Sequence, residues 1–248
     1  MDRLDAAAID VPGVLVRVVA QCPSTNTALL QGPPSAPVLL AAESQTAGRG
    51  RRGRRWHSAP GSSITFSLAR RVRRPQRELA GLSLVAGVAA ARALRGLGAP
   101  VRLKWPNDLL AGEAKLGGIL VETRSPSFAV IGIGLNYLAE PALASRVRRP
   151  LVSLSEVASP LAGRNAVIQA IGRALVGALD AFEAGGLASV RDEWLSLDAY
   201  AGQRLRLRMA NGRSVTGVSA GLADDGALCL RTRGGVRAFR SGTVRLLA

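Results

Sequence analysis

A chain of 248 residues, 48% hydrophobic and 20% charged, is long enough for one sizeable folded domain and a smaller one. Its net charge of +16 suggests a polyanionic partner, but all but two of its 33 basic residues are arginine, the mark of a composition bias rather than of one ligand. A single histidine, His57, rules out a multi-histidine metal site, and Cys22 and Cys229 match no metal or redox spacing, so a reduced, cytoplasmic setting is expected.

Met1–Asp10 carries three aspartates and no apolar core of a secretory signal. The most apolar long stretch, Leu79–Leu97, is interrupted by Arg92 and Arg95, which argues against a membrane span. Val14–Ala20 reads as a strand, and Ser24-Thr25-Asn26 as a helix N-cap cluster introducing Ala28–Leu30. Gly32–Pro37 is a proline-rich connection, followed by a buried-strand pattern at Val38–Ala42. Gly48–Arg55 holds three glycines among five arginines; it predicts a mobile loop, neither helix nor core, whose amides and guanidinium groups suit phosphate or carboxylate. Trp56, at its end, either stacks on a flat ligand or anchors the loop in the core.

Ser62–Ala69 reads as a strand, and the arginine runs Arg70–Arg74 and Arg146–Arg149 as solvated loops. Leu79, Leu82, Val85, Val88, Ala89 and Ala93 keep helical spacing up to Gly98-Ala-Pro100. Val101–Trp105 and Ile119–Thr123 predict strands on either side of a turn around Pro106–Gly112, and Phe128–Leu135 another strand. A helix is expected over Asn165–Ala184 and a shorter one over Leu187–Leu197. From Ala201 short alternating segments, with Asn211-Gly212 and Asp225-Gly226 as hairpin turns, predict a small all-β unit, a compact barrel.

The two lysines, Lys104 and Lys115, lie eleven positions apart in a chain that otherwise writes its cations as arginine. A compact ammonium is what a site needs against a moving phosphate or carboxylate oxygen. Lys104-Trp-Pro-Asn-Asp108 sets a cation, an amide and a carboxylate round a turn; Lys115-Leu-Gly-Gly precedes a strand; and Gly132-Ile-Gly-Leu-Asn136 leaves room for close approach. Each segment also has a plain reading as a solvated hairpin or a buried strand.

Taken together, Ser24–Asn26, Glu43–Trp56, Lys104–Asp108, Lys115–Glu122 and Gly132–Asn136 resemble, in order and spacing, the motifs of the biotin–protein ligase family, with a looser likeness running through Trp194 into the β-rich tail. The resemblance implies an α+β fold: a mixed β-sheet catalytic domain flanked by helices over residues 1–200, similar to class II synthetases and lipoate ligases, and a C-terminal SH3-like barrel over 201–248. It implies activation of biotin by Mg–ATP to biotinyl-5′-adenylate and transfer to a lysine of a biotin carboxyl carrier domain. By the same resemblance Ser24, Thr25, Asn26 and Gln45 hold the biotin ring system, and Gly118, Leu120, Gly132 and Gly134 line its slot. Arg49, Gly50 and Arg51 close over biotin and the activated phosphate, and Lys115 holds the reacting oxygens. Arg54, Trp56, Asn107 and Asn136 serve the nucleotide; Lys104 and Asp108 position Mg–ATP or the acceptor lysine, with Asp108 the candidate for deprotonating the amine. Lys115, Arg51 and Asp108 form the expected catalytic set, with Mg2+ arriving on ATP.

Cys22-Pro23 departs from the family pattern, where a small or acidic residue is expected before the helix cap. With the motifs beginning at Ser24, an N-terminal helix-turn-helix domain and specific DNA binding are not expected. Two other functions compete: a lipoate or octanoate ligase with the same chemistry, and a non-catalytic basic nucleic-acid-binding protein. The 4% aromatic content and the lack of a recognition-helix module weigh against the second.

Overall fold

The computed structural model describes residues 3–32, 35–124, 127–140, 147 and 149–247. Pro33 and Pro34 of the expected proline-rich connection, and Arg146 and Arg148 of one arginine run, lie outside them, as does Asp2. The chain forms two sheets. The first orders its strands β1-β2-β3-β7-β6-β5-β4, comprising β1 (Leu15–Cys22), β2 (Val38–Gln45), β3 (Ser63–Arg71), β4 (Val101–Lys104), β5 (Asp108–Ala111), β6 (Ala114–Thr123) and β7 (Phe128–Asn136). Only β1 and β2 pair in parallel; every other neighbouring pair is antiparallel.

Strand alternation divides this sheet into two faces. Leu39, Ile64, Phe66, Leu68, Leu103, Ile119, Ile131 and Ile133 form the apolar face and belong to the main core. Two helices cover that face: α2 (Leu82–Gly96), entered through a 3-10 turn over Gln76–Gly81, and α4 (Arg164–Gly185), with α5 (Ala188–Leu197) beside them. The close approach is visible at Gly87, where an added Cβ would touch Leu103 and Ile119, and at Gly172, where it would meet Leu39 at 3.2 Å. Gln76–Gly96 is long and apolar enough to cross a membrane, but 67% of its most apolar window is buried inside the fold.

The opposite face carries Thr65, Ser67, Gly118, Gly132 and Gly134 and is covered by far less: helix α1 (Thr25–Leu29) and the loop around residues 48–56. The Ser24 hydroxyl accepts from Thr27 N at the start of α1, so this polar cluster does cap a helix. A short helix α3 (Leu154–Val157) follows a capping box between Ser153 and Glu156.

Three expectations are corrected here. The turn expected around Pro106–Gly112 contains a strand, β5, whose Leu109, Leu110 and Ala111 are too short an apolar run to announce themselves but are buried between β4 and β6. The Gly48–Arg55 loop contains a 3-10 turn over Arg51–Gly53, closed by Gly50 N donating to Arg54 O at 2.7 Å and by a bridge between Arg49 and Arg55. Arg70–Arg74 is not simply solvated: Arg70 pairs with Asp180 and Glu183, and Arg74 with Glu78.

The second sheet is fully antiparallel, ordered β11-β10-β9-β8-β12, from β8 (Arg204–Arg208), β9 (Ser214–Leu222), β10 (Leu228–Thr232), β11 (Gly235–Phe239) and β12 (Thr243–Leu246). Gly212 and Gly226, both at φ +82°, turn the hairpins as the sequence predicts. Leu205, Leu207, Leu222 and Leu228 join the same core as the first sheet. The Trp105 indole N–H donates to Gly226 O at 3.1 Å across the joint.

Candidate functional site

One transverse row of the first sheet runs through directly paired residues: Lys104, Asp108, Gly118, Gly134 and Thr65. The neighbouring row holds Leu120, Gly132 and Ser67. Two strands present only hydrogen at this spot, and a trough forms along the sheet. Polar side chains already fill its walls closely. A Cβ at Gly132 would fall 2.2 Å from Asn26 Oδ1, and one at Gly134 would fall 2.5 Å from the Trp56 ring.

Lys115 reaches this face through a β-bulge. Strand β6 pairs Gly117 with Leu109 but Lys115 with Leu110, so Leu116 is the extra residue. Without it, period-two alternation would aim Lys115 into the helical core; with it, the side chain turns to the Gly118 side. Its Nζ lies 2.8 Å from where a Cβ on Gly118 would stand and 5.9 Å from the Trp56 ring centroid.

At one end of the trough is an uncharged hydrogen-bonding cluster. Gln45 Oε1 accepts from Thr25 N at 2.8 Å, the Thr25 and Ser67 hydroxyls lie 2.7 Å apart, and Ser67 donates to Asn26 Oδ1 at 2.6 Å. Asn26 Nδ2 donates in turn to Leu120 O and Glu122 Oε2. These groups are fixed before any ligand arrives, which is what orientation of a small polar ring requires.

At the other end the charge is positive. Lys115 is ion-paired with Asp108, whose second oxygen lies 3.5 Å from Arg149 Nη1. Arg51 donates to Asn107 Oδ1 at 3.3 Å, and Asn107 Nδ2 to Ile119 O at 2.7 Å. Burial lowers the pKa of Lys115, opposed by Asp108; burial also lowers that of Lys104, whose ammonium stands 5.5 Å from the Tyr200 ring. Arg51 is likewise lowered by burial, with Arg52 beside it, yet remains cationic.

Both ends open into a single cavity. All the residues expected at the site line it, with one exception. Asn136 is buried behind Lys115, and its amide donates to Lys115 O and Val152 O at 3.1 Å each; it holds the lysine's backbone rather than facing the cavity. Two further expectations shift. Arg49 donates to Glu122 and Thr27, away from the Lys115 cluster, and Asp108 is engaged by two cations rather than free to act as a base.

Sequence reading missed Thr65, Ser67, Glu122, Arg149 and Thr243. The alternation Ser63, Thr65, Ser67 against Ile64, Phe66, Leu68 carried a signal for the first two. Arg149 and Thr243 come from distant segments and carried none. Thr243, with Gly242 and Val244, brings the second sheet to the cavity rim, where its hydroxyl accepts from Arg52 at 3.1 Å and Arg54 at 3.2 Å. Arg52 is held there at φ +58°, in the left-handed region.

Among the described residues no cluster of three His, Cys, Asp or Glu side chains is placed to hold a metal. Among the described residues Asp108 is the one carboxylate on the cavity wall, a donor set that fits an ion carried in on a polyphosphate rather than a resident one.

Comparison with known proteins agrees with this geometry. The profile of the Biotin/lipoate A/B protein ligase family matches residues 18–136, and that of the Biotin protein ligase C terminal domain matches residues 200–247. The "Bifunctional ligase/repressor BirA" of Escherichia coli is 36% identical over 241 residues, 94% of this chain and 74% of that one. The "Biotin--[acetyl-CoA-carboxylase] ligase" of Mycobacterium tuberculosis is 35% identical, over 92% of this chain and 87% of its own. Among solved structures, the biotin protein ligase of Aquifex aeolicus in complex with biotin and ATP superposes with a TM-score of 0.81 at 26% identity, covering 94% of this chain and 98% of that one. The chain belongs to the biotin–protein ligase family.

Proposed function

We propose that the protein activates biotin with Mg–ATP to biotinyl-5′-adenylate, releasing pyrophosphate, and transfers the biotinyl group to a lysine of a biotin carboxyl carrier domain, releasing AMP. In this reading residues 1–200 carry the chemistry and residues 201–248 border it. The observation that carries it is the polarity of the trough: a preset uncharged hydrogen-bonding end, a narrow glycine-floored middle, and a buried ammonium at the far end. Biotin has that order of parts, with a ureido ring that both donates and accepts, a thiophane and alkyl chain, and a terminal carboxylate.

Ser24, Thr25, Asn26 and Gln45 orient the ureido group, and Trp56 and Leu120 flank the chain. The carboxylate then meets Lys115, displacing the contact with Asp108. Its attack on the α-phosphate brings anion to anion, and Lys115, Arg51 and Arg54 oppose that charge as it grows. Lys104, Asn107 and Arg149 border the space left for the triphosphate. Freed from Lys115, Asp108 becomes available to accept a proton from the incoming amine. Both free cysteines, Cys22 and Cys229, suit a cytoplasmic setting.

A lipoate or octanoate ligase would share the charged end but would bury an apolar tail against Ser24, Thr25, Asn26 and Gln45. Those groups bond one another but keep donor and acceptor capacity that only a polar ring can meet, and burying it unmet costs up to about 1–3 kcal/mol per group. The test mixes purified protein with biotin, Mg–ATP and a carrier domain and weighs the carrier by mass spectrometry. One added biotinyl group supports the reading; an unmodified carrier, or one that takes octanoate in preference, overturns it.

A further inference from the structure

Lys104 is a cation that the fold leaves uncommitted. Val101 and Leu103 of β4 are buried in the main core, so Lys104 stands on the trough face, where it lines the cavity. Its partner across the strands, Asp108, gives one carboxylate oxygen to Lys115 and the other to Arg149. Among the described residues the Lys104 ammonium makes no hydrogen bond and no ion pair. Its contact is the face of the Tyr200 ring, 5.5 Å away at the centroid. Burial lowers its pKa, Asp108 opposes this, and Arg149, Arg245 and Arg54 lower it further.

Tyr200 is not a cavity residue; it belongs to the connection between α5 and β8. That connection is fixed on both sides. Ala199 N donates to Leu103 O at 2.8 Å, beside a parallel bridge between Leu103 and Asp198, and Arg102 donates to Asp198 O at 2.6 Å. The buried Asp198 carboxylate accepts from Tyr200 N at 3.0 Å. Tyr200 O accepts from Gln203 N, and Gln203 O from Ser219 N of β9. Burial, and then the charge of Asp108, push the Tyr200 phenol's pKa up, so the ring stays neutral. A carboxylate at this place would pair with Lys104 as Asp108 pairs with Lys115. A π face attracts the ammonium yet takes none of its three N–H donors, which stay available to an anion.

Resting on the ligase reading above, we propose that Tyr200 is a positioning residue that holds Lys104 for the β- and γ-phosphates of ATP, the part released as pyrophosphate. The cations around Lys104 decide between its two candidate ligands. Arg54, Arg149 and Arg245 add to the attraction of a polyphosphate and repel the ammonium of an acceptor lysine.

The two half-reactions separate these ligands. Biotin-dependent exchange reads ATP and pyrophosphate, whereas single-turnover transfer from isolated biotinyl-adenylate to a carrier domain reads the acceptor lysine. Y200L should raise KM for ATP and for pyrophosphate together by roughly fivefold to tenfold, the scale of one partly desolvated cation–π contact. Y200F keeps the ring and should restore both, and transfer in Y200L should change far less than the exchange constants. K104M should raise the same two constants, and Y200L should add nothing in the K104M background. Unchanged constants in Y200L overturn the proposal. So does a Y200L effect that persists in full on top of K104M, because Tyr200 would then act through something other than Lys104. Slowed transfer with exchange constants intact assigns Lys104 to the acceptor lysine and also overturns it. If Y200L does not fold, replacing Tyr200 by a trifluorinated phenylalanine decides. It has the shape of Y200F with a weaker negative face and should raise both constants; values equal to those of Y200F overturn the proposal. Absence of biotin-dependent exchange in the unaltered protein overturns the ligase reading itself.

Discussion

Lys115 is ion-paired with Asp108 and is the more deeply buried partner, with 9% of its side chain exposed against 17% for the aspartate. Burial pushes the lysine's pKa below the ordinary value, and Asp108 pulls it back up. The unfolded chain therefore holds this proton more tightly than the fold does. As pH rises through the lowered value towards the ordinary one, the pair's contribution to stability increases. Adenylation needs the ammonium and moves the other way. The kcat/KM for biotin should fall on the alkaline side below the ordinary lysine range, and D108N should move that fall to lower pH. A pH profile with the same alkaline limb in D108N would show that Asp108 does not set the charge on Lys115. Thermal melts across the same window should show Tm rising more in the unaltered protein than in K115M.

Gly134 and Trp56 leave no space for a methyl group between them, since a Cβ would stand 2.5 Å from the ring. G134A should displace the indole into the trough and raise KM for biotin by about tenfold or more, the effect expected of overpacking a fitted site at about 1–3 kcal/mol. Tryptophan fluorescence should shift in the same variant. An unchanged biotin KM would mean that the slot does not run over Gly134.

Thr243 joins the second sheet to the cavity loop through one hydroxyl shared by Arg52 and Arg54. T243V keeps the shape and removes both bonds. It should raise KM for ATP by roughly fivefold to tenfold, since bonds to charged groups are worth about 1.5–3 kcal/mol and water replaces part of this. T243S should restore the wild-type KM; if T243V is already normal, the loop does not depend on the second sheet.

Trp105 donates across the joint between the sheets to Gly226 O. W105F leaves that carbonyl buried without its donor and should lower the unfolding free energy by about 1–3 kcal/mol. Denaturant unfolding reads this directly, and a stability within error of the parent would show that the bond contributes nothing.

Much of the site could be read from residue order because its polar groups sit in contiguous runs: Ser24–Asn26 at a helix cap, Gly48–Trp56 in a loop, Lys104–Asp108 at a turn. What escaped sequence reading depended on long-range pairing. The bulge at Leu116 decides which face Lys115 points to, and it exists only because β5 pairs with β6 out of step. Asn136 looked like a ligand group at a strand end, but the segment around Val152 folds back over it and takes its amide. Arg149 and Thr243 reach the cavity from segments with no local pattern, and β5 is too short to show a period. The two helices α2 and α4, by contrast, are written in apolar residues at helical spacing and stop at Gly98 and Gly186, both at positive φ.

In the proposed reaction Lys115 stabilises the charge that develops as a biotin carboxylate attacks ATP. The most direct test is biotin-dependent exchange of labelled pyrophosphate into ATP by the purified protein and by K115A. Exchange should require biotin and fall by about 10²–10³-fold in K115A, the usual loss for one donor aimed at a developing oxyanion. Exchange that proceeds without biotin, or at a near-normal rate in K115A, would contradict that role of Lys115.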